Sequence, residues 1–299
     1  MLRFHSPAAQ DYAWMQPILF GANAPGADTT FYGMYFWESY YGEIAEHGGF
    51  VTQRACRNGC STYLYPVGAG DIQPVLAEIL LDARARGGAL TLRGVTAGKK
   101  DELSQLYPGK FSFTPYRDAF DYIYTVEELT QLRGKKLQAK RNHCNRFEAE
   151  HPDYSAVPIT VENIGLCREM VKKWYTLHTP GDQITREKTA IARAFDCFGE
   201  TAMDGLMLLD GEEVIAFSMG GRMNEQYYDV CFEKAFPAVS GAYAMINREF
   251  SRMIAEKYPA VRFLNREDDM GEPGLRKAKE SYQPTCLLEK YNACYQEEL

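Results

Sequence analysis

Residues 205–235, "GLMLLDGEEVIAFSMGGRMNEQYYDVCFEKA", constrain the fold more than any other stretch of the chain. Three strand-like runs are separated by Asp210-Gly211 and by "RMNEQ", so the segment reads as an antiparallel three-stranded meander. A helix follows in "SGAYAMINREFSRMIAEKY", then a strand in "VRFLNRE", a helix in "GLRKAKESY" and a final strand in "TCLLEKYN". Antiparallel strands followed by alternating helix and strand belong to the α+β class and not to a doubly wound parallel sheet.

The first part of the chain follows the same grammar. "GGFVTQRA" and "STYLYPVG" alternate as strands, and "DIQPVLAEILLDARARG" is an amphipathic helix with Val75, Ile79 and Leu80 on one face. "ALTLRGV", "KKDELSQLYPG" and "DAFDYIYTV" read as strand, helix and strand, a β-β-α-β-α-β order. The aromatic run "DTTFYGMYFWESYY" is expected in a buried core segment, as a helix or a strand. At 299 residues the length favours two domains, placed at 1–128 and 129–299. Each is expected to hold a mixed, mostly antiparallel sheet flanked by helices.

No apolar run reaches the ~18–20 residues that cross a bilayer, and "MLRFHSPAAQDYAWM" lacks the apolar core of a signal peptide. A cytoplasmic protein without a transmembrane segment is expected. Eight scattered cysteines agree with a reducing compartment. Cys56 and Cys60 form a C-x3-C pair with no second pair and no suitably spaced His, so no metal site is expected.

Charge is distributed unevenly. "RGKKLQAKRNHCNRF" (133–147) holds six Lys or Arg and no acid, in a chain of net charge -7. Residues 133–146 therefore carry +6 and leave -13 for the rest. Neither Gly nor Pro interrupts Lys135 to Glu150, which predicts a helix ending near His151-Pro152. Leu137, Cys144 and Phe147 give it a thin apolar stripe; Lys136, Lys140 and His143 line one neighbouring face, Arg141 and Asn145 another. Like charges at this spacing repel by a few tenths of a kcal/mol per pair. Carboxylates from elsewhere would offset the repulsion, and so would an anionic ligand. The Asn and His among the cations suit a polyanion with shape: an RNA backbone, a nucleotide cofactor or a phospholipid head. A second polar cluster, "FLNREDDMGEPGLRKAKESYQP" (263–284), sets Asn265, Arg266 and Glu267 at a strand exit and Lys277 and Lys279 in the next helix.

Together, "GKKLQAKRNHCNRF" and "NREDDMGEPGLRKAKESYQP" resemble the DUF2156 family, which is similar to the C-terminal domain of phosphatidylglycerol lysyltransferases. The resemblance extends over nearly the whole chain. It implies two GNAT-like (acyl-CoA N-acyltransferase-like) domains in tandem, joined by the basic helix, and a transferase. The aminoacyl-binding Asp-Leu-Met-Arg-like motif of the lysyltransferases matches Asp229-Val230-Cys231-Phe232, so Phe232 replaces the Arg. A lysine near the end of the family's R-F-K-x-K-F-x-P-like pattern matches Lys279.

Such a transferase brings an amine or hydroxyl against an activated carbonyl, with donors for the developing oxyanion and a seat for the carrier's phosphates. Asp229, Tyr227 and Lys279 are the catalytic candidates, Asp229 to orient an amine and Tyr227 to donate a proton. Lys136, Lys140, Arg141, His143, Asn145, Asn265, Arg266, Glu267 and Lys277 are the substrate- and phosphate-binding candidates. "FPAVSGAYAMINREF" has a single Gly241 and no Arg or Gln at the spacing of a CoA pyrophosphate loop. This favours an aminoacyl-tRNA donor over acyl-CoA. The alternatives are an acyl-CoA-dependent N-acyltransferase and a non-catalytic nucleotide- or RNA-binding protein. A lipid is one candidate acceptor, and no oligomeric state follows from the sequence.

Overall fold

The computed structural model describes residues 2–57, 60–177 and 181–296. Its elements run α1 (Tyr12–Gly21), α2 (Phe31–Phe36), α3 (Glu38–Tyr41), β1 (Glu43–His47), β2 (Phe50–Arg57), β3 (Cys60–Leu64), β4 (Val67–Gly68), α4 (Gln73–Ala85), β5 (Thr91–Val95), α5 (Ala97–Leu106), β6 (Phe111–Pro115) and β7 (Asp121–Thr125). They continue with α6 (Val126–Gln131), α7 (Gln138–Glu150), β8 (Ser155–Pro158), α8 (Ile164–Thr176), α9 (Asp182–Asp196), β9 (Met203–Asp210), β10 (Glu213–Arg222) and β11 (Tyr227–Ala235). The last elements are α10 (Ala242–Lys257), β12 (Phe263–Asn265), α11 (Pro273–Glu280), β13 (Cys286–Leu288) and β14 (Tyr291–Tyr295). The architecture is α+β, with two mixed sheets flanked by helices.

The chain forms two compact units. One comprises 1–121, 268–272 and 287–299; the other comprises 122–267 and 273–286. The cut expected at 128/129 lies inside α6.

In the first unit the sheet order is β1-β2-β3-β5-β14-β6, with β4 on β2. β3 and β5 are parallel, whereas β1/β2, β2/β3 and both pairings of β14 are antiparallel. β1 was not anticipated from the sequence. Gly48 and Gly49 both take positive φ (59° and 80°), the geometry of a two-residue type I′ hairpin, and this folds β1 back on β2. The α4 residues Val75, Leu76, Ile79 and Ala83 pack with Tyr63, Leu92, Val95 and Ala293 in one buried cluster. The aromatic run forms α2 and α3, which break at Trp37; Thr30 caps α2 by accepting from Gly33 N. Five of its first six helical residues are buried.

"TCLLEKYN" is not one strand. β13 joins the second sheet and β14 the first, and between them Lys290 is 3% exposed. Its Nζ lies 2.8 Å from Asp121 and 3.0 Å from Asp28, so an ion triad fixes the chain where the strand is interrupted.

The second sheet has the order β13-β7-β12-β11-β10-β9-β8. The expected meander is present as β9, β10 and β11, all antiparallel, and β12 then pairs parallel to β11. The parallel register covers only Tyr227–Asp229 against Phe263–Asn265. Helix α10 crosses this sheet with Ala244, Met245, Ile246, Phe250 and Ile254 buried.

Candidate active site

The site residues lie in the second unit, where β11 runs on past the last pair it makes with β12. Met219 pairs with Phe232, but Gly221 pairs with Asp229, so two steps on β10 span three on β11. The extra residue is a β-bulge at Val230-Cys231, which leaves one residue outside the ladder. Gly220 faces the bulge, and a Cβ there would meet the Asp229 carbonyl oxygen at 1.9 Å. Gly220→Ala is therefore expected to displace the bulge and cost about 1–3 kcal/mol. Urea unfolding measures the loss, and an unchanged midpoint would refute this account of the glycine.

Beyond the bulge, Glu233 and Arg266 reach across the end of the β11/β12 pairing. Arg266 Nη2 donates to Glu233 Oε1 at 2.8 Å, and Asn247 Nδ2 of α10 donates to Glu233 Oε2 at 3.0 Å. Both charged side chains of this pair are 11% exposed. The guanidinium lies 4.6 Å from the centre of the Tyr282 ring, and Lys140 Nζ lies 3.9 Å from that centre. Two further polar atoms in the cluster, Arg266 Nη1 and Asn247 Oδ1, are buried without a hydrogen-bond partner. The cluster thus presents a cationic donor and a neutral acceptor.

Helix α7 places Lys140. It starts at Gln138 and not at Lys135, because the chain turns at Gly134 (φ 81°) and buries Leu137 as the N-cap. Arg141 folds back and donates to the carbonyls of Leu132 and Gly134, at 2.8 Å in the second case. Cys144 and Phe147 anchor the helix in the core, and burial pushes the Cys144 thiol up to about 11. The His143 carbonyl sits so close to Gly241 that a Cβ there would be 2.2 Å away. The N-terminus of α10 thus abuts the backbone of α7.

Among the described residues, none of the six cations between Arg133 and Arg146 has a carboxylate at ion-pair distance. Glu148, the first acid after the segment, takes Arg248 at 2.6 Å. Burial, and next the Arg266 charge, hold the Lys140 pKa below its ordinary value. The sign follows: the folded state binds this proton less tightly than the unfolded chain does, so protonated Lys140 costs stability at neutral pH. The cost disappears as pH rises through the folded value toward about 10.4. Lys140→Met is expected to raise the melting temperature near pH 7, with the difference closing at alkaline pH. A lower melting temperature for the variant at pH 7 contradicts this.

The other candidates separate by position. Lys136, His143, Asn145 and Lys277 are exposed. Lys279 is 8% exposed; its Nζ donates to the Arg266 carbonyl and its own carbonyl accepts from Tyr124 OH at 2.7 Å, so it positions the end of β12. Asn265 Oδ1 accepts from Glu267 N at 2.7 Å and holds Glu267 at φ 56°. Tyr227 stacks on Phe263 with ring centres 4.9 Å apart. Asp229 is fully buried, and its ligand atoms lie within 4.8 Å of those of Cys231 and Glu267. Those three groups could hold a metal ion, a set that the spacing of the cysteines did not announce.

Glu233, Asn247 and Tyr282 were not among the candidates. Glu233 was visible as the next outward residue along "YYDVCFE", and Asn247 as a polar residue on the buried face of α10. Tyr282 carried no local signal.

Residues 22–294 match the family described as phosphatidylglycerol lysyltransferase, C-terminal. The chain belongs to this family. A conserved protein of unknown function from Bacteroides thetaiotaomicron VPI-5482 shares 34% identity and a TM-score of 0.92, over 99% of this chain and 100% of that one. The structure of L-PGS from Bacillus licheniformis has the same fold, with TM-score 0.66 and 17% identity over 98% of this chain and 93% of that one. So does the C-terminal domain of a putative lysylphosphatidylglycerol synthetase from Agrobacterium fabrum, at 0.69 and 10% over 97% and 93%. A curated relative, an uncharacterized protein from Mycoplasmoides gallisepticum, is 22% identical over 180 residues. That match spans 59% of this chain and 56% of the relative. No helix among the described residues is long and apolar enough to cross a membrane.

Proposed function

We propose that this member of the family transfers an aminoacyl group from an aminoacyl-tRNA to a hydroxyl or amine of an acceptor, using the cluster around Arg266. The observation that carries this reading is the pair of buried, unfilled groups, Arg266 Nη1 and Asn247 Oδ1, beside Glu233. An aminoacyl ester offers their complement on adjacent atoms: a carbonyl oxygen that accepts and an α-ammonium that donates. A plain acyl thioester has no ammonium for Asn247. The abutment of α7 on the α10 N-terminus also argues against seating a CoA pyrophosphate there.

Arg266 donates to the ester carbonyl and stabilises the oxyanion as the acceptor attacks. A new acceptor–carbonyl bond forms and the bond to the tRNA ribose oxygen breaks. The acceptor's proton passes to that ribose oxygen, so the step balances without a further reagent. Glu233 holds the guanidinium, Tyr282 walls the cluster, and Lys140 with the exposed Lys136 and Arg146 takes backbone phosphates. Asp229 and Lys279 support the strand ends that carry these groups.

The family's description names phosphatidylglycerol and a lysyl group, so the test begins with radiolabelled lysyl-tRNA, phosphatidylglycerol vesicles and small hydroxyl or amine acceptors. Label leaving the tRNA for an acceptor in the wild type but not in Asn247→Ala supports the reading. Equal transfer by Asn247→Ala, or transfer from acyl-CoA alone, overturns it. Lys140→Met should weaken tRNA binding and lower the slope of log affinity against log salt by about one.

A further inference from the structure

We propose that the first unit carries an oxoanion seat of its own, in which Arg57 and Arg93 grip a phosphate or phosphoester group. This goes beyond the transfer reading and does not depend on it. Arg93 pairs with Leu64, and Tyr63 pairs with Arg54, so Gln53, Leu64 and Arg93 lie side by side across β2, β3 and β5. Gln53 Oε1 accepts from Arg93 Nη2 at 2.9 Å, while the Gln53 amide nitrogen is spent on the carbonyls of Met34 and Gly42. Arg93 also lies over the Tyr41 ring, 4.2 Å from its centre. Arg57 lies over the Tyr40 ring at 3.8 Å and donates to the Tyr40 carbonyl at 2.8 Å. The two rings meet edge to face with centres 4.8 Å apart. Adjacent residues of α3 therefore hold two guanidiniums near enough for the charge of Arg57 to act on Arg93.

Among the described residues, neither guanidinium has a carboxylate at ion-pair distance, and their protein partners are the neutral oxygens of Gln53 and Tyr40. Arg93 Nε is buried with no hydrogen-bond partner. The acid whose charge reaches Arg93 is Asp28, and its Oδ1 is engaged by Lys290 at 3.0 Å. Burial pushes the Arg93 pKa down. Arg54, next to Gln53 in sequence, shows what a structural arginine looks like in this sheet. It is 6% exposed and paired with both Glu43, at 2.6 Å, and Asp82, at 2.9 Å. Two neighbouring guanidiniums, one with an unfilled buried Nε and neither with a carboxylate at ion-pair distance, suit the oxygens of a phosphate group.

Titration calorimetry with inorganic phosphate and with glycerol 3-phosphate tests the seat on the full chain, with co-sedimentation on phosphatidylglycerol vesicles as a separate arm. Arg93→Met and the surface variant Arg57→Gln should each weaken binding at least about tenfold, whereas Lys172→Gln on the exposed face of α8 should leave it unchanged. Arginine-dependent binding of the soluble phosphates assigns the seat to a free phosphate ligand. Arginine dependence seen with vesicles alone assigns it to a lipid headgroup. No binding in any arm, or equal binding by wild type and both arginine variants, overturns the proposal.

Discussion

Arg266→Leu is expected to lower aminoacyl transfer by about 100- to 1,000-fold, the usual effect of removing one donor from a developing oxyanion. It also strips Glu233 of its cationic partner at 11% exposure, which costs about 3–5 kcal/mol when the remaining charge stays buried. The two effects separate in the double variant Glu233→Met with Arg266→Leu. Replacing a buried pair by apolar side chains of similar size is commonly near neutral for stability. The double variant should therefore melt close to wild type and still fail to transfer. Single-turnover release of label from aminoacyl-tRNA, read beside a melting curve, checks both halves. Restored transfer in the refolded double variant would falsify the role given to Arg266. Loss of transfer only in proportion to loss of folded protein would show that the pair is merely structural.

Lys290→Met should be the most destabilising single change in the first unit, by about 3–5 kcal/mol. The lysine is 3% exposed and serves two carboxylates, Asp28 at 10% and Asp121 at 1% side-chain exposure. Burial opposes its charge, but Asp121, Asp28 and Asp268 together outweigh burial and raise its pKa. A raised lysine pKa contributes stability that is complete below the unfolded value of about 10.4 and is lost only as pH climbs through the folded one. The wild type therefore gains nothing from Lys290 by acidification. The deficit of the variant should therefore hold through neutral pH and narrow only as pH climbs above about 10.4. Urea midpoints measured at pH 7 and at pH 11 test this; a deficit already lost at pH 9 counts against the ion triad.

The meander, the amphipathic α4 and the basic α7 were legible because each is a local signal: turn residues at fixed offsets, period-two or helical alternation, and an unbroken charged run. The hairpin at Gly48-Gly49 was missed because two glycines before a strand mark a break without saying that the preceding "EIAEH" pairs back. "TCLLEKYN" read as one strand because the event that divides it is a charge triad with Asp28 and Asp121, both more than 160 residues earlier.

The site divides the same way. The sequence alone marked Lys140 and Arg266, one from an uncompensated basic run and the other from a polar strand end, and the resemblance to DUF2156 joined those two stretches in a single family. It could not show that Arg141 is consumed by the carbonyls of a turn, that Asp229 is fully buried, or that Glu233, Asn247 and Tyr282 converge on Arg266. Those outcomes depend on a one-residue bulge in β11 and on where α10 and α11 deliver side chains from distant parts of the chain. Charge and periodicity are written residue by residue and can be read in order. Which cation finds a carboxylate and which is left for a ligand is decided only when non-local segments compete for the same partners in the folded protein.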